Sequence, residues 1–274
     1  MTNRTHIIVR MVILASFAGL WAATTATGKT IYVDDNAVGA NDGSSWADAY
    51  NYLQDALADA DSAEKPVEIR VTQGTYTPDR GGGNIPGDRG AAFINIRATF
   101  KLIDGVTLKG GFAGFGEPDP NAWDVDLYET ALSGDLLGND IEVENPEDLL
   151  DEPTRAENSF HVVTSREDNP TAVLDGFTIV GGNANGSYDH SSAAGLDNGN
   201  VFGGGSSITV LNCTFTRNSA NGGGGGMENR GCNPILINCT FTKNLAGYSG
   251  GGGMYNQGSS PILVDCVFRN KYYS

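Results

Sequence analysis

The segment Leu211-Asn-Cys-Thr-Phe-Thr-Arg-Asn218 recurs as Ile237-Asn-Cys-Thr-Phe-Thr-Lys-Asn244, and its core returns as Val264-Asp-Cys-Val-Phe268. Cys213, Cys239 and Cys266 stand 26 and 27 residues apart. The stretches between them match too: Gly-Gly-Gly-Gly-Gly-Met-Glu-Asn ends at Asn229 and Gly-Gly-Gly-Gly-Met-Tyr-Asn at Asn256, while Pro234 is echoed by Pro261. Leu174-Asp-Gly-Phe-Thr-Ile179 is an earlier, degenerate copy. A fixed period in this range means a solenoid. No helical spacing of apolar residues lies between the copies, and a propeller blade needs about 40 residues and four strands. Two or three short strands per unit leave a parallel β-helix, one coil per repeat.

Stacked coils place like residue over like, about 4.8 Å apart, the spacing of paired strands. Cys213, Cys239 and Cys266 should then form one inward column and Phe215, Phe241 and Phe268 another, with Leu211, Ile237 and Val264 completing that face. Asn212 and Asn238 either cap a bend or stay solvated. Asn218 and Asn244 are predicted to form an asparagine ladder just beyond the strand. The glycine runs serve the corners, where a Cβ would meet the next coil. This repetition also accounts for 38 glycines in a chain with only 18% charged residues.

Upstream, Lys29 to Asp34 alternates as a short strand, and Asn41-Asp42-Gly43 signals a turn. Tyr50, Leu53, Leu57 and Ala60 recur at helical spacing, predicting an amphipathic helix over about 47–62 with Ser45 or Asp48 at its start. That helix is placed to cap the N-terminal end of the stack, whose open edge would otherwise invite pairing. Short strands follow at 67–71, 99–103, 106–110, 160–163 and 172–180, interrupted by a polar glycine-rich loop at 79–90. The last copy stops at Ser274 with no matching cap, so a longer native chain is expected.

Arg4 and Arg10 flank the apolar run Met11 to Ala23, and small residues follow to Gly28, the pattern of a secretory signal peptide over 1–28. That run is too short to span a bilayer, for which about 20 apolar residues are needed. The domain proper is thus 29–274, with its explicit repeats at 203–270. Losing two arginines with the leader takes the formal net charge from -16 to -18 and argues against a nucleic-acid partner. Residues 117–157 alone hold 14 acids against Arg155, an acidic insertion that either recognises cations or keeps the protein solvated. Four cysteines, 213, 232, 239 and 266, invite disulfides in an exported protein. Three of them share one repeat position, which fits a buried thiol stack equally well.

The combination of Phe-Thr-Arg-Asn218 and Phe-Thr-Lys-Asn244 with Gly-Gly-Gly-Gly-Met resembles the repeats of polymorphic outer-membrane proteins of the autotransporter type. The third copy departs from it at Lys271. More broadly, Ile31-Tyr-Val-Asp-Asp35, Asp42-Gly-Ser-Ser-Trp46, Leu53-Gln-Asp-Ala-Leu57 and Gly74-Thr-Tyr-Thr-Pro78 resemble the pectate-lyase-like superfamily of right-handed parallel β-helices. The resemblance implies an all-β solenoid on the cell surface or outside the cell. It leaves function open, since that superfamily holds lyases, hydrolases and adhesins alike.

A lyase of this kind needs acids holding Ca²⁺ against a uronate, plus an Arg or Lys as base. No recognisable arrangement of these is visible, and the ordered polygalacturonase-type motifs are absent. Asp34, Asp35 and Asp42, with Asn36, are weak candidates for a Ca²⁺ loop; turn-forming Asx residues are the competing reading. His161 and His190 are isolated candidates for a base. The sequence therefore favours a non-catalytic β-helix that presents a regular face for adhesion or glycan binding. A Ca²⁺-dependent polysaccharide lyase acting by β-elimination on an acidic glycan is the alternative.

Overall fold

A computed structural model describes residues 28–78, 80, 95–165, 171–199, 207–248 and 250–269. Residues 1–27 of the expected signal peptide at 1–28, almost all of the loop at 79–90 and the departing Lys271 lie outside them. Every pairing between named strands is parallel, and the strands stack into four sheets. The longest has seven strands, in the order Lys29–Val33, Val67–Thr72, Val106–Phe112, Val173–Asp175, Thr209–Leu211, Ile235–Ile237 and Ile262–Val264. A six-stranded sheet runs from Gly74–Tyr76 to Val267–Arg269, a five-stranded one from Phe100–Lys101 to Met254–Gln257, and three two-residue strands make the fourth. The chain visits the sheets in turn and returns one rung further on. The fold is a parallel β-helix with a main core along its length and a small separate cluster of Ala184, Ala194 and Ala220.

The corners explain the repeat. Asn212, Asn238 and Asp265 take φ of 50°, 54° and 51°, and Gly176 takes 79° at the same stack position. Arg217 and Lys243, at 52° each, match Gly181 at 78° at the next corner. A left-handed residue interrupts the two-residue alternation, so inward positions fall at 208, 210, 213, 215, 218 and 220. Ile208, Val210, Phe215, Asn218 and Ala220 are all fully buried, and Cys213 nearly so. Leu211, Ile237 and Val264 consequently face outward, against the expectation from strict alternation; Ile237 and Val264 are exposed. Val210 and Leu236 take the core positions instead.

The expected columns form. Phe215, Phe241 and Phe268 stack face over face with centroids 4.6 Å apart and planes within 3°. Cys213, Cys239 and Cys266 are free thiols, each directed at a carbonyl of the preceding coil; Cys232 is free as well. The Asn218 Nδ2 donates to Asn244 Oδ1 at 3.1 Å and to Ile179 O at 2.9 Å, and Asn244 Nδ2 donates to Phe215 O at 2.8 Å. Asn212 and Asn238 form a second, outward ladder that ends on Asp175. A third, Asn198-Asn229-Asn256, climbs the five-stranded sheet at 2.9 and 2.8 Å. Glycine is required where coils nearly touch: a Cβ on Gly226 would lie 2.5 Å from Gly253 O and 3.1 Å from the Asn244 amide.

The helix is shorter than its periodicity suggests, spanning Leu53–Ser62 and burying Leu53, Ala56, Leu57 and Ala60 against the first strands. Residues 47–52 cannot join it. Tyr50 is held extended by two backbone bonds with Tyr32 and Asp34, and Ser45 and Asp48 bond each other in a local turn rather than capping the helix. The acidic insertion is likewise only partly an insertion. Thr130–Ser133 within it is a full rung of the six-stranded sheet, and two 3₁₀ turns, Pro146–Leu150 and Pro153–Arg155, follow.

Candidate functional site: the outer face of the seven-stranded sheet

Alternation on this sheet turns Tyr32, Arg70, Lys109 and Asp175 outward in one register row, continued by Leu211, Ile237 and Val264. A parallel row carries Thr30, Glu68, Thr107 and Val173. The first half of the face is thus charged and the second apolar, with Ile235, Ile237, Ile262 and Val264 all exposed. Among the described residues no helix lies over these exposed side chains, and such a face can receive a partner.

One side of the charged half is walled. The chain after Val106–Phe112 doubles back so that Trp123 bridges Phe112 antiparallel and donates its indole N–H to Gly110 O at 2.8 Å. Asn121 on the same segment accepts from Trp46 Nε1 at 3.1 Å and from Arg70 Nη1 at 3.3 Å. Lys109 Nζ lies 4.1 Å from the Trp123 ring centroid and 5.9 Å from that of Phe112, and the Arg70 guanidinium is 5.4 Å from Phe112. These cation–π contacts hold the two bases side by side against a partly exposed indole. Arg70 is committed to Glu68 at 2.6 Å, but Lys109 reaches Asp175 only at 3.9 Å. Its ammonium therefore keeps donors free for a ligand. Two bases meet two carboxylates here, fewer acids than a calcium-and-base elimination centre calls for. What the face offers is a fixed cation beside an apolar ring, a combination suited to a sugar carboxylate and its ring face.

Of the calcium candidates named from sequence, Asp34 and Asp42 accept from backbone N–H groups in turns, and Asp35 accepts from the Asn36 side-chain amide. Asp34 is buried, accepting from Asn36 N at 2.9 Å and Phe115 N at 2.6 Å, which anchors the loop after Phe112. Burial, then the neighbouring Asp34, pushes the Asp35 carboxyl above its ordinary range. Asp42 lies in a separate turn, where bonds from Ser44 hold its carboxyl low. Among the described residues, the acids whose ligand atoms lie within 4.8 Å of one another are Asp135, Asp140 and Glu157. None of the three calcium candidates belongs to that group.

The two histidines, isolated in sequence, meet in space. His161 Nε2 is 3.2 Å from His190 Nδ1, His161 Nδ1 is 2.9 Å from Ala193 O, and Arg97 Nη1 donates to His190 Nε2 at 2.5 Å. With Arg97 donating to His190 Nε2, the hydrogen-bond roles that fit are His190 donating to His161 and His161 to the carbonyl. Phe160 stacks on His190 with centroids 4.8 Å apart, so the pair fastens the loop around residue 190 to the five-stranded sheet. The Arg70–Lys109 pair escaped the sequence reading. Its signal was present in Val67-Glu-Ile-Arg and Val106-Thr-Leu-Lys, which put a base at the same strand position in neighbouring rungs.

No protein-family model matches this chain, and no curated protein matches it. Among solved structures, a rhamnogalacturonan lyase is similar at 14% identity with a TM-score of 0.30, covering 88% of this chain and 63% of that one. The chain thus spans less than two thirds of that structure's length. Among the described residues, no helix is long and apolar enough to cross a membrane.

Proposed function

We propose that this chain is an exported, cell-surface or secreted β-helix that binds a carboxylate-bearing polysaccharide along its seven-stranded sheet without cleaving it. The carrying observation is Lys109, seated 4.1 Å over Trp123 on the sheet face, with Asp175 at 3.9 Å the one acid paired with it among the described residues. The leader-like run at 1–28 and the likeness to outer-membrane repeats support surface placement. Right-handed winding and an N-terminal cap belong to the same reading. Parallel crossovers are right-handed almost without exception, and the helix packs on Lys29–Val33 at the edge of the sheet.

Affinity electrophoresis in gels cast with polygalacturonate, alginate or neutral dextran tests the proposal. Retardation is expected in an acidic gel and not in dextran. Lys109→Ala should weaken it at least tenfold, as for loss of a bond to a charged group worth about 1.5–3 kcal/mol. Equal mobility in all three gels overturns it. The lyase reading retains one observation in its favour, a lysine standing next to carboxylates on an exposed strand face. Calcium-dependent appearance of ultraviolet-absorbing unsaturated product from either acidic polymer, abolished in Lys109→Ala, would establish that reading instead.

A further inference from the structure

We propose that Asp135, Asp140, Glu157 and Asn158 form a calcium site that staples the acidic stretch to the corner of the stack. The inference is independent of the glycan-binding face. The carboxylates of Asp135, Asp140 and Glu157 each bring an oxygen within 4.8 Å of the others. Oxygens that close can share one Ca²⁺, whose flexible shell takes ligands at about 2.3–2.6 Å, whereas Mg²⁺ demands a near-ideal octahedron and gives up its waters reluctantly.

The second observation is Asn158, 2% exposed. Its Nδ2 donates to Asp140 Oδ2 at 2.9 Å and to Gly181 O at 2.7 Å. Both partners are pure acceptors, so the amide cannot be turned over, and it is clamped against the Asp140 carboxylate. Its Oδ1 is buried without a hydrogen-bond partner, and so are Asp140 Oδ1 and Glu157 Oε1. Three buried oxygens without donors on three adjoining side chains are what a hard cation takes up, since each otherwise bears its full desolvation cost.

Charge points the same way. Arg155 Nη1 meets Asp140 Oδ2 at 3.0 Å, but one guanidinium faces three carboxylates. Arg217 and Lys243, two further bases nearby, both pair with Glu142. Asp135 is already oriented, its Oδ1 accepting from Gly138 N and Asn139 N at 2.7 and 3.1 Å and its Oδ2 from Asp140 N at 3.0 Å. Three of its roughly four lone-pair sites are taken by these bonds, and the one left, on Oδ2, remains for a cation. Arg155 Nη2 reaches Gly182 O, Arg217 O and Ser219 Oγ, and Asn158 reaches Gly181 O, so a cation here would lock 135–158 across two coils.

The test is calorimetric titration of the whole chain, stripped with a chelator, using CaCl₂ and then MgCl₂. One calcium per chain is expected, with magnesium weaker. Glu157→Gln loses no hydrogen bond that Glu157 Oε1 makes in the structure, so it should fold, and it should raise the calcium Kd at least tenfold. Asp119→Asn, outside the cluster, should leave it unchanged. Absence of calcium heat, or wild-type affinity in Glu157→Gln, overturns the proposal. Limited proteolysis of the unaltered chain gives a readout that needs no variant: calcium should slow cleavage between Asp135 and Glu157, and equal cutting with and without it overturns the staple.

Discussion

Two asparagines of one coil, Asn212 and Asn218, make side-chain ladders of nearly equal bond length but opposite exposure, and replacing each separates burial from geometry. Asn218→Ala removes the acceptor of Gly182 N and the donor to Ile179 O, both at 2.9 Å and both at buried backbone. Water cannot reach either group, and each orphan costs about 1–3 kcal/mol, so the loss should be about 2–6 kcal/mol. Asn212→Gly removes bonds of 2.7 Å to Asp175 and 2.9 Å from Asn238, but on the solvent side. Glycine also relaxes the left-handed φ of 50°, and Gly176 already holds this position one coil earlier. The net change should stay within about 1 kcal/mol. Equilibrium urea unfolding at a common slope reads both values. Equal losses would refute the view that the inner ladder holds the coils together because it is buried.

Three further outcomes follow from the packing. Burial raises the Cys213 thiol well above its ordinary value, and lifts Cys239 to about 12. Iodoacetamide at pH 8 should therefore label Cys266 in the folded chain and spare Cys213 and Cys239 until denaturant is added, as read by peptide mass spectrometry; equal labelling of all three contradicts the thiol stack. Gly226→Ala, whose Cβ would meet Gly253 O at 2.5 Å, should cost at least about 2 kcal/mol in urea unfolding, and a neutral result would mean that the coils are not in contact there. Arg155→Ala removes the guanidinium that is 2% exposed and bonded to two coils, and a loss of about 3–5 kcal/mol is expected in the same assay.

The stack was legible because its signals repeat: Cys and Phe two apart, Asn three beyond Phe, glycine before Met. The phase of the alternation was not, since a bend at Asn212 was one of two readings and nothing marks Arg217 as left-handed before the corner is seen. A single such residue sends Leu211 outward and Val210 inward. Helical spacing from Tyr50 misled for a related reason, as Tyr50 makes a bridge to Val33 that outweighs local propensity. The site residues were harder still. Asp34, Asp35 and Asp42 were grouped by proximity in sequence, but their oxygens meet nearby backbone and side-chain donors, whereas Asp135 and Glu157 converge from the two sides of a loop that carries no motif. His161 and His190, or Arg70 and Lys109, meet only because coils bring distant residues together.

The left-handed corners also free coil length from register. Val210 pairs with Leu236, 26 residues on, and Leu108 with Leu174, 66 residues on, and neither pairing disturbs the rungs around it. Closing the longer excursion costs only about 0.8 kcal/mol more by chain entropy, little beside one buried rung. A corner is thus a graft point: foreign loops of several dozen residues inserted beside Gly116 or Gly258, exposed left-handed glycines where a Cβ would meet nothing within 4 Å, should leave the solenoid standing, and recognition elements could be exchanged there while the columns of phenylalanines and asparagines stay the same.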